Sequence, residues 1–229
     1  SSGEIAAAYC AGALTNRAAW EIAFHKGLVC EALRQRSPET QGSMIAVGVG
    51  ADIVRSYLDS YPPGQMNIAC FNSPSSVTVA GDSLSIRQLL RRLNDDKIFA
   101  RELPVDSAYH SHHMDFVSEE YLRAIAHLVP QDCSNPKQAR MASSVTGKII
   151  NGSDLTADYW VANLVSPVLF SDAVSEMMES PAMISRHRHR NGPAVDFLVE
   201  IGPHAALKGP LQQILESQSL QHVGYASVL

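Results

Sequence analysis

The stretch from Gln41 to Asp106 contains an order of short segments that restricts the fold more than any other feature of the chain. Four segments are short apolar runs that predict strands: MIAVGVG, MNIACFNS, SSVTVAGD and IFARELPVD. Two predict amphipathic helices: ADIVRSYLDSY and SLSIRQLLRRLNDD, the second with an apolar set of Leu84, Ile86, Leu89, Leu90 and Leu93. The order β-α-β-β-α-β is that of the split βαβ, ferredoxin-like arrangement. We therefore expect a ferredoxin-like small subdomain over residues 41–106.

Helices and strands alternate in the rest of the chain, which favours an α/β layer with a mainly parallel sheet. After an alanine-rich opening helix, Thr15 can cap a second helix, which should end around Ser37-Pro38 because proline disfavours its continuation. The run VDFLVEIG predicts a buried parallel strand, and Pro203 suits the first turn of the helix after it. We expect a larger α/β subdomain formed by residues 1–40 and 107–229.

Charge and composition exclude several classes of partner. The net charge is -5 and the pI is about 6.0, which argues against nucleic acid. No apolar run approaches the ~20 residues that a membrane span requires, so we expect no membrane partner. The cysteines, at positions 10, 30, 70 and 133, are too dispersed for a compact disulfide framework. Reduced thiols indicate an intracellular protein, and we expect a cytoplasmic one.

The first residues, Ser1-Ser2-Gly3, lead directly into the alanine-rich helix. A serine two residues before a glycine, followed by a helix, is the second half of G-x-S-x-G, in which a tight turn exposes a nucleophilic hydroxyl. The helix N-terminus then helps to stabilise negative charge. The alternative interpretation of these three residues is a simple helix cap.

The segment DSAYHSHHMDF contains three histidines, His110, His112 and His113. One of them could accept the serine proton as a general base. The alternatives are an exposed histidine-rich turn and a metal site. Their spacing does not place the histidines on one helix face, and the sequence shows no cysteine or carboxylate cluster beside them. We therefore expect no metal.

Five segments in collinear order together resemble the acyltransferase domains of polyketide synthases: SSGEIAAAYCAGALT, FNSPSSVTVAGD, LPVDSAYHSHHM, YWVANLVSPVLF and VEIGPHAALKGPL. They look most like those of fungal highly reducing type I synthases, relatives of malonyl-CoA:acyl-carrier-protein transacylases. The resemblance implies an α/β-hydrolase-like large subdomain with the ferredoxin-like part inserted in it. Because the family's turn reads G-H-S-x-G, it also implies a Gly-His before Ser1 and a missing N-terminal part of the fold. We expect this fragment to be inactive and poorly stable by itself.

The resemblance also implies roles for individual residues. Ser1 matches the serine that takes the acyl group, and His110 matches its general base. Asn163 matches the position whose backbone carbonyl holds the other imidazole nitrogen, so that a Ser-His dyad needs no carboxylate. The backbone amide of Ser2 would donate to the oxyanion. The second oxyanion donor would come from a glutamine-containing loop upstream of the chain.

The resemblance implies a role in substrate selection or in lining the cleft for five further positions. Lys26 stands where the family usually has an arginine that binds the malonyl carboxylate, and lysine keeps the charge but loses the planar fork. Tyr109 is bulky, which in the family accompanies malonyl rather than methylmalonyl, whereas Ser107 departs from the common malonyl pattern. Asn72 and Gly81 match positions that line the cleft between the subdomains.

The resemblance implies a ping-pong transfer from malonyl-CoA, through an ester on Ser1, to the phosphopantetheine thiol of an acyl carrier protein. No bound cofactor is expected. The partners would be the carrier protein and neighbouring synthase domains, including a ketosynthase. An acidic carrier could dock on a basic face, for which the candidates are Arg91, Arg92, Lys97 and Arg101. Two alternatives remain: a serine hydrolase or transferase of another acyl group on this fold, and a non-catalytic scaffold remnant.

Overall fold

The computed structural model describes residues 1–36, 42–131, 139–180 and 195–228; Ser37-Pro38 and Cys133 lie outside these ranges. The helices, in chain order, are α1 (Gly3–Cys10), α2 (Asn16–Arg36), α3 (Ala51–Leu58), α4 (Ser83–Asp95), α5 (Asp115–Ile125), α6 (Ala157–Val165), α7 (Phe170–Glu179) and α8 (Lys208–Ser217). The strands are β1 (Gly42–Val47), β2 (Met66–Ser73), β3 (Ser76–Asp82), β4 (Ala100–Glu102), β5 (Met141–Ala142), β6 (Ile149–Ile150), β7 (Phe197–Glu200) and β8 (Gly224–Ser227). Within the described ranges, no helix is long and apolar enough to cross a bilayer.

Strands β1 to β4 form one sheet in the order β2-β3-β1-β4, and every neighbouring pair is antiparallel. Together with α3 and α4, the strands occur along the chain in the predicted order. The apolar face of α4 packs on the sheet through Ile86, Leu89 and Leu93, which are fully buried. Leu84, which we grouped with them, is 66% exposed because two residues along a helix turn a side chain to nearly the opposite face.

Helices α1, α2, α5 and α6 form a second packed layer. Its core contains Ile22, Tyr121, Trp160 and Leu164, each nearly inaccessible to solvent. Helix α2 begins where the sequence predicted, because Thr15 Oγ1 accepts a hydrogen bond from the Ala18 amide at 3.1 Å. The packing of α2 on α5 and of α1 on α2 brings the start of the chain beside the middle of α2.

The prediction of a mainly parallel sheet is not met in the described part of the chain. Parallel pairing there is limited to β7 with β8 and a single bridge between Cys70 and Val168. The predicted burial of β7 is wrong, since Phe197 and Val199 are 54% and 56% exposed. The reason is that β7 has one strand neighbour among the described residues, and these alternate side chains lie uncovered on one face.

The helix after β7 begins later than expected. It starts at Lys208, so Pro203 is not in its first turn, which instead contains Pro210. The intervening segment is held by Glu200, whose carboxylate accepts from the Leu207 amide at 3.1 Å and also from the Tyr225 hydroxyl. A carboxylate that binds the backbone ahead of the helix therefore organises this turn.

Two chain segments that matter for the site are attached to the small sheet. A Cβ on Gly42 would lie 2.4 Å from the Ala108 amide nitrogen, so only glycine lets the segment before His110 approach β1 this closely. The segment after α6 is held on β2, since the Val168 amide donates to the Ala69 carbonyl and the Val168 carbonyl accepts from Phe71, each at 2.8 Å. The sheet thus serves as a common support for both segments.

Candidate active site

The hydroxyl of Ser1 and the imidazole of His110 lie in hydrogen-bonding contact although 109 positions separate them in the chain. Ser1 Oγ is 3.0 Å from His110 Nε2. Ser1 lies just before Ser2, the N-cap of α1, and the Ser1 carbonyl accepts from the Glu4 amide at 3.1 Å in the first turn. This is the geometry of a nucleophile and its base: a serine oxygen within reach of an imidazole nitrogen that can take its proton.

The backbone at His110 adopts a left-handed conformation, with φ of 60°. Histidine enters this region more readily than most residues other than glycine. Asn67 on β2 holds the conformation, because its side-chain amide donates to the His110 carbonyl at 2.9 Å. This backbone conformation turns the imidazole ring toward Ser1, and His110 is only 6% exposed. Asn67 was not predicted as a site residue, because it belongs to no motif that the sequence displays.

The other ring nitrogen, His110 Nδ1, lies 2.9 Å from the backbone carbonyl of Ser166. The prediction that the backbone carbonyl of Asn163 holds this nitrogen is therefore wrong. Asn163 is inside α6, where backbone carbonyls run along the helix axis. Ser166 is the first extended residue after the helix, with ψ of 156°, so its carbonyl turns outward to the imidazole. A carbonyl accepts only, which keeps the proton on Nδ1 and leaves Nε2 unprotonated toward Ser1.

Burial of the imidazole lowers the pKa of His110 to about 4, and the ammonium of Lys26 contributes to this shift. Both effects disfavour the charged imidazolium. At neutral pH the ring is therefore neutral and able to accept a proton. The Ser166 carbonyl opposes the shift, because it favours the protonated form.

Asn163 contributes its side chain instead of its backbone. Its Oδ1 accepts from Lys26 Nζ at 2.9 Å, and its Nδ2 donates to Glu4 Oε2 at 2.6 Å. Because the NH₂ group of Asn163 donates a hydrogen bond to Glu4, the amide oxygen of Asn163 is directed at Lys26. Asn163 thus joins a buried carboxylate to the ammonium group beside Ser1.

Glu4 is the buried end of this chain of contacts and is 8% exposed. Besides Asn163, its carboxylate accepts from the Tyr159 hydroxyl at 3.0 Å and from the Ser144 amide. All three partners are donors, which suits an ionised carboxylate. Glu4 was not predicted, although a charged residue directly before Ile5, on the buried face of α1, was a usable signal.

Lys26 approaches the nucleophile from α2, with Nζ 3.5 Å from Ser1 Oγ. Burial lowers its pKa from the ordinary value of a lysine. The structure thus brings the side-chain nitrogen of Lys26 close to Ser1. From this position, the ammonium group of Lys26 can contact a negatively charged part of a substrate attached to Ser1.

A cavity of about 900 Å³ opens over these groups. Its lining includes Ser1, Ser2, Lys26, Tyr109 and His110, together with Ile5, Ala6, Tyr9, Asn16, Ala19, Trp20, Ala23, Gly27, Cys30, Met44 and Cys70. Most of this lining is apolar, and within it Lys26 and His110 contact Ser1. A cavity of this kind suits an acyl chain with one reactive polar end.

Two of the predicted substrate-binding residues are absent from this lining. Ser107 is buried, and Asn72 donates from its side-chain amide to Thr78 Oγ1 at 3.1 Å on the neighbouring strand. The described cavity therefore gives no support to direct substrate contact by either residue. Asn72 stabilises the β2–β3 hairpin instead.

A model of the family described as "Acyl transferase domain" matches residues 1–227. The chain therefore belongs to the acyl transferase domain family, and the resemblance found in its sequence is confirmed.

The chain is similar to parts of large fungal enzymes. It is 49% identical over 229 residues to the highly reducing polyketide synthase Preu1 of Preussia isomera, a match covering 100% of this chain and 10% of that protein. It is 48% identical over 217 residues to the reducing polyketide synthase FUB1 of Gibberella fujikuroi, which covers 95% of this chain and 9% of that protein. The chain thus spans about a tenth of the length of these curated relatives.

Solved structures share the fold. The acyltransferase domain from module 8 of the salinomycin polyketide synthase matches with a TM-score of 0.84 and 28% identity, over 99% of this chain and 48% of that one. A malonyl CoA-acyl carrier protein transacylase from Clostridium perfringens matches with a TM-score of 0.79 and 21% identity, over 99% of this chain and 64% of that one. The α/β fold is therefore that of known acyltransferases, whereas the division at residues 41–106 stays a prediction.

Proposed function

We propose that the chain is the acyltransferase of a polyketide synthase and moves a malonyl unit from malonyl-CoA to the phosphopantetheine thiol of an acyl carrier protein. The observation that carries the proposal is the 3.0 Å contact between Ser1 Oγ and His110 Nε2, beside a cation. The names of the fungal relatives support the synthase context. A cytoplasmic location and a neighbouring ketosynthase domain are part of the same proposal.

In the first half-reaction, Ser1 Oγ attacks the carbonyl carbon of the malonyl thioester while His110 Nε2 takes the hydroxyl proton. The tetrahedral intermediate collapses with cleavage of the carbon–sulfur bond. The imidazolium returns its proton to the sulfur of CoA, which leaves as a thiol. The malonyl group remains as an ester on Ser1.

In the second half-reaction, the phosphopantetheine thiol gives its proton to His110 and attacks the ester carbonyl. The bond from that carbonyl to Ser1 Oγ breaks, and His110 protonates the serine oxygen. The Ser166 carbonyl at 2.9 Å from Nδ1 supports the imidazolium that forms in each half. The products are the malonylated carrier and free Ser1.

The oxyanion of both intermediates would lie at the start of α1, where we assign the backbone amide of Ser2 as one donor. The helix dipole adds positive potential at this end. Ser2 lines the cavity and is exposed, so a thioester carbonyl can reach it.

Malonyl selection rests on Lys26 and Tyr109, which both line the cavity. The ammonium of Lys26, near Ser1 Oγ, would pair with the free carboxylate of a malonyl group. The ring of Tyr109 restricts space beside His110, which favours malonyl over a branched methylmalonyl unit. The carrier's acidic surface would meet exposed basic residues such as Arg91, Lys97 and Arg101.

The test is intact-mass spectrometry of the full-length protein after mixing with malonyl-, methylmalonyl- or acetyl-CoA. We expect a persistent malonyl adduct that maps to Ser1 and disappears when a carrier protein with its phosphopantetheine arm is added. Rapid release of free malonate without a carrier would indicate a hydrolase. A stable adduct with another acyl group only would indicate a different transferase, and no adduct at all would indicate a scaffold.

Glu4 should act as a positioning residue for the malonyl carboxylate. In Glu4→Gln only one side-chain oxygen remains to accept from three donors, so Asn163 and Lys26 lose their fixed orientation. We expect about a 10-fold rise in KM for malonyl-CoA with little change in kcat. The matched control is Glu31→Gln on the exposed face of α2, where Glu31 pairs with Arg34. Equal effects of both substitutions, or a loss confined to kcat, would contradict this role.

A further inference from the structure

Three side chains near the catalytic segment converge on one point that the mechanism does not use. His112 Nε2 lies 3.2 Å from Asp82 Oδ1, and His113 Nε2 lies 2.8 Å from the same oxygen. The two imidazole rings are 4.4 Å apart. The carboxylate that the sequence analysis found missing beside the histidines is therefore supplied by β3, about thirty positions earlier in the chain.

The separations fit a small coordination sphere. All three potential ligand atoms lie within 4.8 Å of one another. Ligands about 2.0 Å from a tetrahedral ion are roughly 3.3 Å apart, close to the two measured separations. An ion that replaced the hydrogen bonds would thus need only small movements of the side chains.

The support of the cluster is partly rigid and partly open. The side chain of His113 is 6% exposed, whereas those of His112 and Asp82 are 36% and 43% exposed. His113 is held at the start of a short helical turn, where its amide donates to Ser111 Oγ. An ion could therefore enter from solvent on one side and meet a fixed imidazole on the other.

From this geometry we propose that Asp82, His112 and His113 form a Zn²⁺ site separate from the Ser1–His110 pair. Two imidazoles and one carboxylate are ligands that Zn²⁺ prefers, whereas Mg²⁺ and Ca²⁺ prefer oxygen ligands. Binding of the ion through Nε2 requires the proton of each imidazole ring to lie on Nδ1. The fourth position faces solvent and would hold water.

The site joins β3 to the segment that follows His110. A bound ion would therefore cross-link the small sheet and the catalytic segment, which a hydrogen bond to Asp82 does only weakly. This inference does not depend on the proposed acyl transfer. It concerns metal binding alone, so failure of either proposal can be recognised separately.

The test uses the full-length protein, stripped with a chelator and dialysed, then titrated with Zn²⁺ in a calorimeter. We expect His112→Ala to remove one equivalent of bound Zn²⁺, or to weaken the affinity for Zn²⁺ about 100-fold. The reason is that loss of a ligand costs at least as much affinity as loss of a residue that hydrogen-bonds to a ligand. Asp82→Asn should have the same effect, although its amide oxygen can still accept a hydrogen bond. His112 is half-exposed, so its removal should leave the fold intact.

The matched control is His127→Ala. His127 Nε2 also contacts a carboxylate, Glu21 Oε2 at 2.8 Å, but our proposed site does not include this pair. We expect its removal to leave Zn²⁺ binding unchanged. Titration with Co²⁺ gives a second readout, namely visible absorption bands that His112→Ala removes. Equal Zn²⁺ binding by the wild type and His112→Ala, or an equal loss in His127→Ala, would overturn the proposal.

Discussion

His110→Ala is expected to reduce malonyl transfer about 10³-fold, because the variant has no group to take the proton from Ser1 Oγ. The contact at 3.0 Å is made by Nε2, and alanine leaves only solvent to act as base. The rate of malonyl transfer to a carrier protein, measured under single-turnover conditions in the full-length protein, checks the prediction.

The control for this variant is His127→Ala, which removes an exposed imidazole that is not among the residues lining the cavity. Circular dichroism should show the same secondary structure in both variants. Ser1→Ala should give no adduct at all. A His110→Ala protein that transfers malonyl within about 10-fold of the wild-type rate would show that another group acts as the base.

Lys26→Met is expected to lower kcat/KM for malonyl-CoA about 100-fold and to change the rate with acetyl-CoA far less. Methionine has a similar length but no charge, so only a substrate with a free carboxylate loses a partner. Lys26→Arg should restore activity and sharpen the preference for malonyl, since the planar guanidinium can bind both carboxylate oxygens. The measurement is kcat/KM with each thioester.

The same variant should change the pH profile. The wild type should keep its activity below the ordinary pKa of a histidine and lose it only at more acid pH, where the buried His110 becomes protonated. The Lys26 ammonium lowers the pKa of His110, so in Lys26→Met the acid limb should move to higher pH. Lys208→Met, an exposed change in α8, serves as the control. An unchanged acid limb together with unchanged substrate preference would contradict both roles of Lys26.

The small sheet was predictable because its pattern is local. Each strand and helix between Gln41 and Asp106 has its own run of apolar residues, and short connections leave few ways to arrange them. The exposure of Phe197 and Val199 was not predictable in this way. An apolar run indicates what a strand could bury, but the neighbours that cover it belong to other parts of the fold.

The site was predictable only where one residue type stood out in a family pattern. Ser1, Lys26 and His110 were found by resemblance, and the structure brings them together. The exchange of the Asn163 carbonyl for that of Ser166 was missed, because a carbonyl has no sequence signature and its direction depends on where α6 ends.

The amino-acid sequence by itself determined the element order of the small sheet and the family, and it singled out Ser1, Lys26 and His110 as candidates for the site. These features depend on side-chain type and short-range periodicity, and both can be read from the linear sequence. Only the tertiary structure decided that Asn163 acts through its amide, that Glu4 supports it, and that Asp82 joins His112 and His113. Such contacts join residues far apart in the chain, and their geometry is set by how β1 to β4 and the helical layer pack on each other.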